Sequence, residues 1–351
     1  MVHRRGAEVL GNYELRITSW AIISRITFHV SRMDGIFNIN KPHGLTSHDV
    51  VARVRRILRQ WQTRETTDIQ NPKSKVGHAG TLDPMATGVL PVVVGKATRL
   101  VEYLADADKA YRAGLFLGAT SDTYDREGVI TLTPEVIAPP CQAVEEALEA
   151  FRGEIDQLPP MHSAIKVGGK KLYELARKGV EIERQPRHVT ITRLELEVYK
   201  PPVLQMFVEC SKGTYIRSLA HDLGAALGTG AYLTALQRTR HGPFTIEGAT
   251  TLEGLAAAFE EGTWQESLYP PDYILMGWRK HIVTPAEELD LLQGRPLRLP
   301  HIAMGEHPVM AAITQSGELL AILYWDGELR LWRPRKVFTK HNVADTKRAE
   351  S

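Results

Sequence analysis

Asp83 sits in the segment Gly77-His78-Ala79-Gly80-Thr81-Leu82-Asp83-Pro84-Met85-Ala86-Thr87-Gly88, where residues that bend or stiffen a chain surround one acid. Gly77, Gly80 and Gly88 admit unusual backbone angles, and Pro84 fixes the chain just after the acid. A loop so built can hold a carboxylate at a set angle, as a nucleophile requires. The same residues also suit an acid that merely closes an Asx turn before proline, and local physics alone favours that plainer role. A second cluster, Cys210-Ser211-Lys212-Gly213-Thr214-Tyr215-Ile216-Arg217, lies where a strand gives way to a helix. Ser211 or Thr214 is predicted to cap that helix, with Tyr215 and Arg217 in its first turn. An arginine brought near a buried aspartate would keep it ionised. A surface cation and a core aromatic are the ordinary alternatives for Arg217 and Tyr215.

Cofactor chemistry finds no visible home. Gly95-Lys96-Ala97-Thr98 resembles half of a P-loop, but Leu90 stands where the first glycine is needed and Ala97 follows the lysine. No G-x-G-x-x-G follows a strand, and neither H-E-x-x-H nor H-x-E…C-x-x-C occurs. Two cysteines, Cys141 and Cys210, cannot make a four-cysteine zinc site or a disulfide framework. They fit a reducing, cytoplasmic compartment. No apolar run approaches the roughly 20 residues that span a membrane. With 43 Lys+Arg against 41 Asp+Glu, the net charge of +2 is too small to argue for nucleic acid, so any polyanion site must come from local clustering.

The elements that would position these groups read as α+β. The 351 residues suggest about two domains. Residues 1–32 read as an extension, disordered or preceding a functional start at Met33. Ile36, Phe37 and Ile39 form a strand stopped by Lys41-Pro42 and Gly44. Thr46 or Ser47 caps a helix with Val50, Val51, Val54, Ile57 and Leu58 on one face. Arg53, Arg55, Arg56 and Arg59 lie off that stripe, as a solvated surface or a phosphate contact. Gln60 to Lys75 lacks periodicity and reads as a mobile loop. Val89–Val94 is a buried strand, with Pro91 arguing for an edge or a bulge. Tyr111, Ala113, Leu115 and Leu117 share one face of a half-buried strand. Helices are expected around Val144–Phe151, around Leu172–Ala176, and from Ile216 to near Gly228. Val189–Tyr199 and Leu204–Cys210 read as paired strands. The linker falls between Gly262 and Met276. Beyond it come a helix from Pro285 to Leu292, a hairpin about Asp326-Gly327, and a basic run of Arg330, Arg333, Arg335, Lys336 and Lys340.

Several of these segments occur together in one family. GIFNINKPHGLTS (from Gly35), the GHAGTLDPMATG loop, Asp108–Arg112, LPPMHSAIKVGGKKLY (from Leu158) and SKGTYIR (from Ser211) closely resemble, in this order, the TruB family of tRNA pseudouridine synthases. The resemblance runs from about Gly35 to about Thr250. It implies isomerisation of uridine to pseudouridine at position 55, in the T-arm of tRNA, without cofactor or metal and with the base flipped out. It implies that Asp83 is the catalytic aspartate and Arg217 its partner. Tyr111 stacks on the uracil and is a candidate base, Tyr215 and Leu236 line the base pocket, His78 fills the gap left in the RNA loop, and Lys41 supports the site. It further implies a mixed or antiparallel-sheet catalytic domain over 33–275, a small β-rich PUA-like RNA-binding domain over 276–343, and a tail over 344–351. The enzyme is expected to be a cytoplasmic monomer that needs neither membrane nor protein partner. Two features depart from the family: the N-terminal extension, and a Gln60–Lys75 stretch longer than the usual connection. An RNA-binding module without catalysis and an aspartate-dependent hydrolase are the competing readings.

Overall fold

The computed structural model describes residues 33–65, 75–134, 137–163, 166–167, 170–172, 179–180, 182–300 and 309–338. The expectations for residues 1–32, for 344–351 and for Lys340 lie outside them, as does most of the helix expected around Leu172–Ala176. The chain divides into two compact units, residues 1–269 and 270–351.

In the first unit the strands are β1 (Gly35–Lys41), β2 (Val76–His78), β3 (Thr87–Val94), β4 (Lys109–Leu117), β5 (Ala119–Ser121), β6 (Ile130–Leu132), β7 (Gly153–Gln157), β8 (Lys166–Val167), β9 (Lys170–Lys171), β10 (Arg187–Lys200), β11 (Val203–Cys210), β12 (Ala231–His241), β13 (Phe244–Thr245) and β14 (Leu268–Tyr269). Ten of them form one sheet in the order β14-β1-β3-β12-β4-β11-β10-β7, with β2 on β3 and β13 on β12. The β12–β3 pairing is parallel and the others in this sheet are antiparallel. This is the mixed sheet expected of an α+β fold. It makes β4 and β12 central neighbours, paired from Ala231 opposite Leu117 to His241 opposite Lys109 with register shifts after Leu233 and after Arg238.

Pro91 does not mark an edge. β3 is flanked along its length by β1, with Pro91 opposite Asn38. On its other side the partner changes: β12 pairs at Thr87 and Gly88, and β2 at Val92 to Val94. A residue's N–H and C=O point the same way in a strand. The Pro91 carbonyl accepts from Ala79 N at 3.1 Å, so its missing donor faces this change of partner. An interior proline is thereby tolerated.

Helix α1 (Ser47–Glu65) starts as the sequence suggests. Thr46 Oγ1 accepts from Asp49 N at 3.0 Å, and the Asp49 carboxylate accepts from Thr46 N at 2.9 Å. Val50, Val51, Val54 and Leu58 are buried in the core. Of the four arginines, Arg55 donates to Val76 O at 2.6 Å, while Arg53, Arg56 and Arg59 are exposed. The helix overruns its expected end and continues to Glu65, so the stretch from Gln60 does not begin a loop. Trp61 explains this. It packs edge-on against Phe259 of helix α5 (Leu252–Glu261) at 5.6 Å and against Trp264 at 5.2 Å. These partners lie far along the chain, and tertiary packing overrides the weak local pattern. Residues 66–74 lie outside the described residues. Between α1 and α5 in sequence come α2 (Val101–Ala105), α3 (Cys141–Glu149) and α4 (Ile216–Ala226).

The second unit carries α6 (Pro285–Leu292) and a four-stranded sheet in the order β15 (Lys280–Ile282), β16 (Val309–Ile313), β17 (Leu319–Asp326), β18 (Leu331–Val337). Thr284 and Glu287 form a capping box on α6. Asp326 closes the expected hairpin by accepting from Leu329 N at 3.0 Å. Trp332 anchors this unit's own core with Leu291, Leu297 and Leu323.

Trp61→Ala is expected to cost about 3 kcal/mol of stability, the low end for truncating a tryptophan because Trp61 is half-buried. Urea unfolding measures it. A loss below about 1 kcal/mol would contradict the packing account.

Candidate active site

The Asp83 loop is fixed from both sides. Upstream, Ser47 Oγ donates to Leu82 O at 3.1 Å and accepts from Leu82 N at 2.8 Å. Downstream, the buried ammonium of Lys41 donates to Ala86 O (2.6 Å), Pro42 O (3.0 Å) and Pro84 O (3.2 Å). Three donors meet three carbonyls, as a buried cation requires. The turn itself is closed by the Asp83 main-chain carbonyl, which accepts from Ala86 N at 3.1 Å. The side chain is thus available for another partner. Gly88 is required at its position: its φ is 99°, and a Cβ there would lie 2.2 Å from Arg238 O. Gly77, by contrast, is an ordinary strand residue of β2.

The Asp83 carboxylate meets Arg217, with Nε 3.0 Å from Oδ2. Arg217 is in the first turn of α4 and 7% exposed at its side chain; the carboxylate is 38% exposed. The helix is not capped by Ser211 or Thr214. Its N-cap is Tyr215, whose side chain makes no capping bond. Gln157 of β7 instead holds the backbone of the N-cap residue itself, accepting from Tyr215 N at 2.7 Å and donating to Tyr215 O at 3.0 Å. The remaining donors of Arg217 reach His162 O (2.9 Å), Thr123 O (3.3 Å) and the Asp125 carboxylate (3.5 Å). Asp125 is missing from the sequence-based site. It is 5% exposed at its side chain and accepts from Thr123 Oγ1 at 2.7 Å and Glu127 N at 3.0 Å. No local sequence signal marks it, since both its burial and its link to Arg217 come from the tertiary arrangement.

Tyr111 and Leu236 come from the two central strands: Leu236 is opposite Ala113, and Arg238 opposite Tyr111. Both side chains are buried. Burial pushes the Tyr111 hydroxyl up to about 12, with the charge of Asp83 adding to the rise. That disfavours the phenolate that a general base would need. A cavity of about 250 Å³ is lined by Met85 and Thr87 of the aspartate's loop, by Leu236, and by His43, Arg112 and Arg126. Asp83 is not among the residues that line it. His78 ends β2, half-buried, and burial together with the charge of Arg238 lowers its pKa. Its Nδ1 is buried with no partner among the described residues. Asp83 and Arg217 are therefore in contact and Lys41 holds the loop, while Tyr111 and Leu236 lie buried on β4 and β12 and Tyr215 enters through its backbone at the head of α4.

Sequence comparison places this arrangement. The model of the TruB family pseudouridylate synthase N-terminal domain matches residues 66–216, and that of the tRNA pseudouridylate synthase B C-terminal domain matches residues 217–289. The tRNA pseudouridine synthase B of Azoarcus sp. (strain BH72) is 45% identical over 302 residues, 85% of this chain and 93% of that protein. The chain belongs to the TruB family of pseudouridylate synthases. It is an isomerase. The enzyme of the same name from Symbiobacterium thermophilum is 53% identical over 230 residues, 65% of this chain and 73% of that protein. In structure, this pseudouridine synthase is similar to a chain of a Cbf5-Nop10-Gar1 complex, with a TM-score of 0.67 and 28% identity over 87% of this chain and 85% of that one. The α+β expectation is borne out.

Lys41 gives a pH test of the loop's clamp. Burial lowers its ammonium from 10.5 to about 8, against the opposing pull of Asp83. The folded protein thus holds this proton less tightly than the unfolded chain. The stability this residue confers is lowest below pH 8 and rises as pH climbs from about 8 to 10.5. The difference in unfolding free energy between the wild type and Lys41→Met is expected to grow over that window. Urea titrations at its two ends check this, and a flat difference would contradict it.

Proposed function

We propose that this synthase isomerises the uridine at position 55 in the T-arm of tRNA, with Asp83 as the group that starts the reaction. The relatives' name and the matched C-terminal domain model support tRNA as the substrate. The observation that carries the mechanism is the 3.0 Å pairing of Asp83 with a buried guanidinium, on a loop clamped by Lys41 and Ser47.

In the reaction, the bond between N1 of uracil and C1′ of ribose breaks and a bond from C5 to C1′ forms. C5 gives up a proton and N1 gains one. No atoms or electrons are gained or lost overall, so the residues need only bind, orient and move protons. Extruding the base costs a few kcal/mol. Stacking on Tyr111 returns roughly 1–3 kcal/mol. His78 fills the space left in the RNA loop, Leu236 and Tyr215 wall the base, and Lys41 holds the loop of the catalytic acid. Asp83 acts as nucleophile or assists glycosidic cleavage, with Arg217 keeping its charge in place. Another group takes the C5 proton, since the Tyr111 phenol is a weak base at neutral pH.

We assign the catalytic unit to residues 33–275 and a PUA-like RNA-binding role to residues 276–343, working as a cytoplasmic monomer. The basic residues Arg330, Arg333, Arg335 and Lys336 support the RNA role, since phosphate contacts position a nucleic acid without doing chemistry on it.

An unmodified tRNA transcript incubated with the enzyme is expected to carry one pseudouridine, in the T-arm at position 55. Modification confined to another arm, or none, would overturn the assignment. Replacing Arg330, Arg335 and Lys336 together by alanine is expected to weaken tRNA binding and to reduce the log–log salt slope by about 2–3. An unchanged slope would remove this unit from RNA binding.

A further inference from the structure

Tyr124 has a backbone φ of 64°, in the left-handed region. Glycine adopts that region freely, and for a bulky side chain it is an outlier. Among the described residues other than glycine, only Arg330 shares it. Tyr124 also lies between two residues that face Arg217. The Thr123 carbonyl is 3.3 Å from Nη1, and the Asp125 carboxylate is 3.5 Å from the same atom. The strained residue is thus the joint between two acceptors for one guanidinium nitrogen. A change of φ at residue 124 turns Asp125 relative to the Thr123 carbonyl.

Two kinds of contact hold the backbone there. On one side are hydrogen bonds. Tyr124 N donates to Ser121 O at 3.0 Å, Tyr124 O accepts from Leu233 N of β12 at 3.0 Å, and Arg126 N donates to Leu233 O at 2.9 Å. On the other side the Tyr124 ring lies flat on the imidazole of His221, with centroids 4.0 Å apart and planes 13° apart. His221 is on α4, four residues after Arg217. Residues so spaced share a helix face. One turn therefore meets one face of one helix at two places: a ring on a ring, and two acceptors on a guanidinium.

The backbone bonds would serve a glycine equally well. What the tyrosine adds is the ring contact, which is directional and ties the turn to the helix that carries Arg217. His221 Nδ1 is buried with no hydrogen-bond partner among the described residues, so nothing at that nitrogen shares in holding the imidazole.

We propose that the Tyr124–His221 stack positions Arg217 for the isomerisation: it holds the 123–125 turn in its left-handed bend, so that Thr123 and Asp125 together keep the guanidinium aimed at Asp83. Tyr124 and His221 are positioning residues, acting through Arg217. The inference rests on the reading of Asp83 and Arg217 as the pair that starts the reaction.

The test uses full-length proteins. Single-turnover pseudouridine formation on an unmodified tRNA transcript and tRNA affinity are measured for each. Tyr124→Asn removes the ring while keeping a residue that tolerates a positive φ, and His221→Ala removes the other face. Each is expected to slow the chemical step by about tenfold, with tRNA affinity within about threefold. The double variant is expected to be within about twofold of the slower single one, because both changes break the same contact. Tyr124→Phe and His221→Phe keep a stacked pair and are expected to react within about threefold of the wild type. Slowing of the double variant by the product of the two single effects would overturn the proposal. So would a Phe variant as slow as its ringless counterpart, or losses confined to affinity. Asp83→Asn run in parallel separates the two readings. If it turns over, the reading of Asp83 falls and the inference with it. If it is inactive while Tyr124→Asn matches the wild type, the inference alone falls. Should Tyr124→Asn or His221→Ala fail to fold, Tyr124→Leu takes its place, keeping apolar bulk without a flat ring, and the same loss is expected. Failure of Tyr124→Leu to fold would show that the ring supports the fold itself and not the aim of Arg217, and would overturn the proposal.

Discussion

A guanidinium removed from water needs an acceptor for its donors, and Arg217 has been given several. Two are backbone carbonyls, one is the buried Asp125, and one is Asp83. The first three fix the cation within the protein, so its Nε faces one direction. Asp83 occupies that direction and is the more exposed of the two carboxylates. Breaking such a buried network by removing one partner typically costs 3–5 kcal/mol, so the surrounding elements have to deliver every partner. Helix α4 brings Arg217, and Gln157 of β7 holds the backbone at the head of that helix. The 123–125 segment brings Asp125, and β1 together with α1 fixes the Asp83 loop through Lys41 and Ser47.

The same logic recurs one layer further in. Lys41 and Arg238 are both fully buried, and both donate to backbone carbonyls at the ends of the Asp83 segment. Cations at such positions tie the loop between β2 and β3 to the strands that flank it. They have a cost in desolvation, visible in the lowered pKa of Lys41, and they give the loop a single geometry in return. Catalysis by a carboxylate depends on that geometry more than on the strength of any one bond.

Much of this was legible in the amino-acid sequence, for local reasons. β1 was visible in its apolar residues, α1 in its stripe and its capping Thr46 or Ser47, and the β10–β11 pair in its alternation. Asp83 stood out because glycines and a proline surround it, although those residues alone favoured a simple turn; the family resemblance raised it to a catalytic candidate. What could not be read depended on distant partners. The last part of α1 is helical because Trp61 meets Phe259 and Trp264. Pro91 is interior because β3 changes partner beside it. The head of α4 is held by Gln157 of β7 through the backbone of Tyr215, and Asp125 becomes part of the site only through Arg217. Each of these needs the tertiary arrangement, and no window of neighbouring residues contains it.

In the proposed mechanism one carboxylate, held by Arg217, begins the chemistry. Single-turnover pseudouridine formation by Asp83→Asn, with tRNA affinity measured on the same protein, tests it most directly. The carboxamide fills nearly the same space, so loop and binding surface are retained while the charge is lost. No detectable pseudouridine is expected, with affinity within about tenfold of the wild type, or roughly 1.4 kcal/mol. Measurable turnover by a clean Asn variant would contradict it.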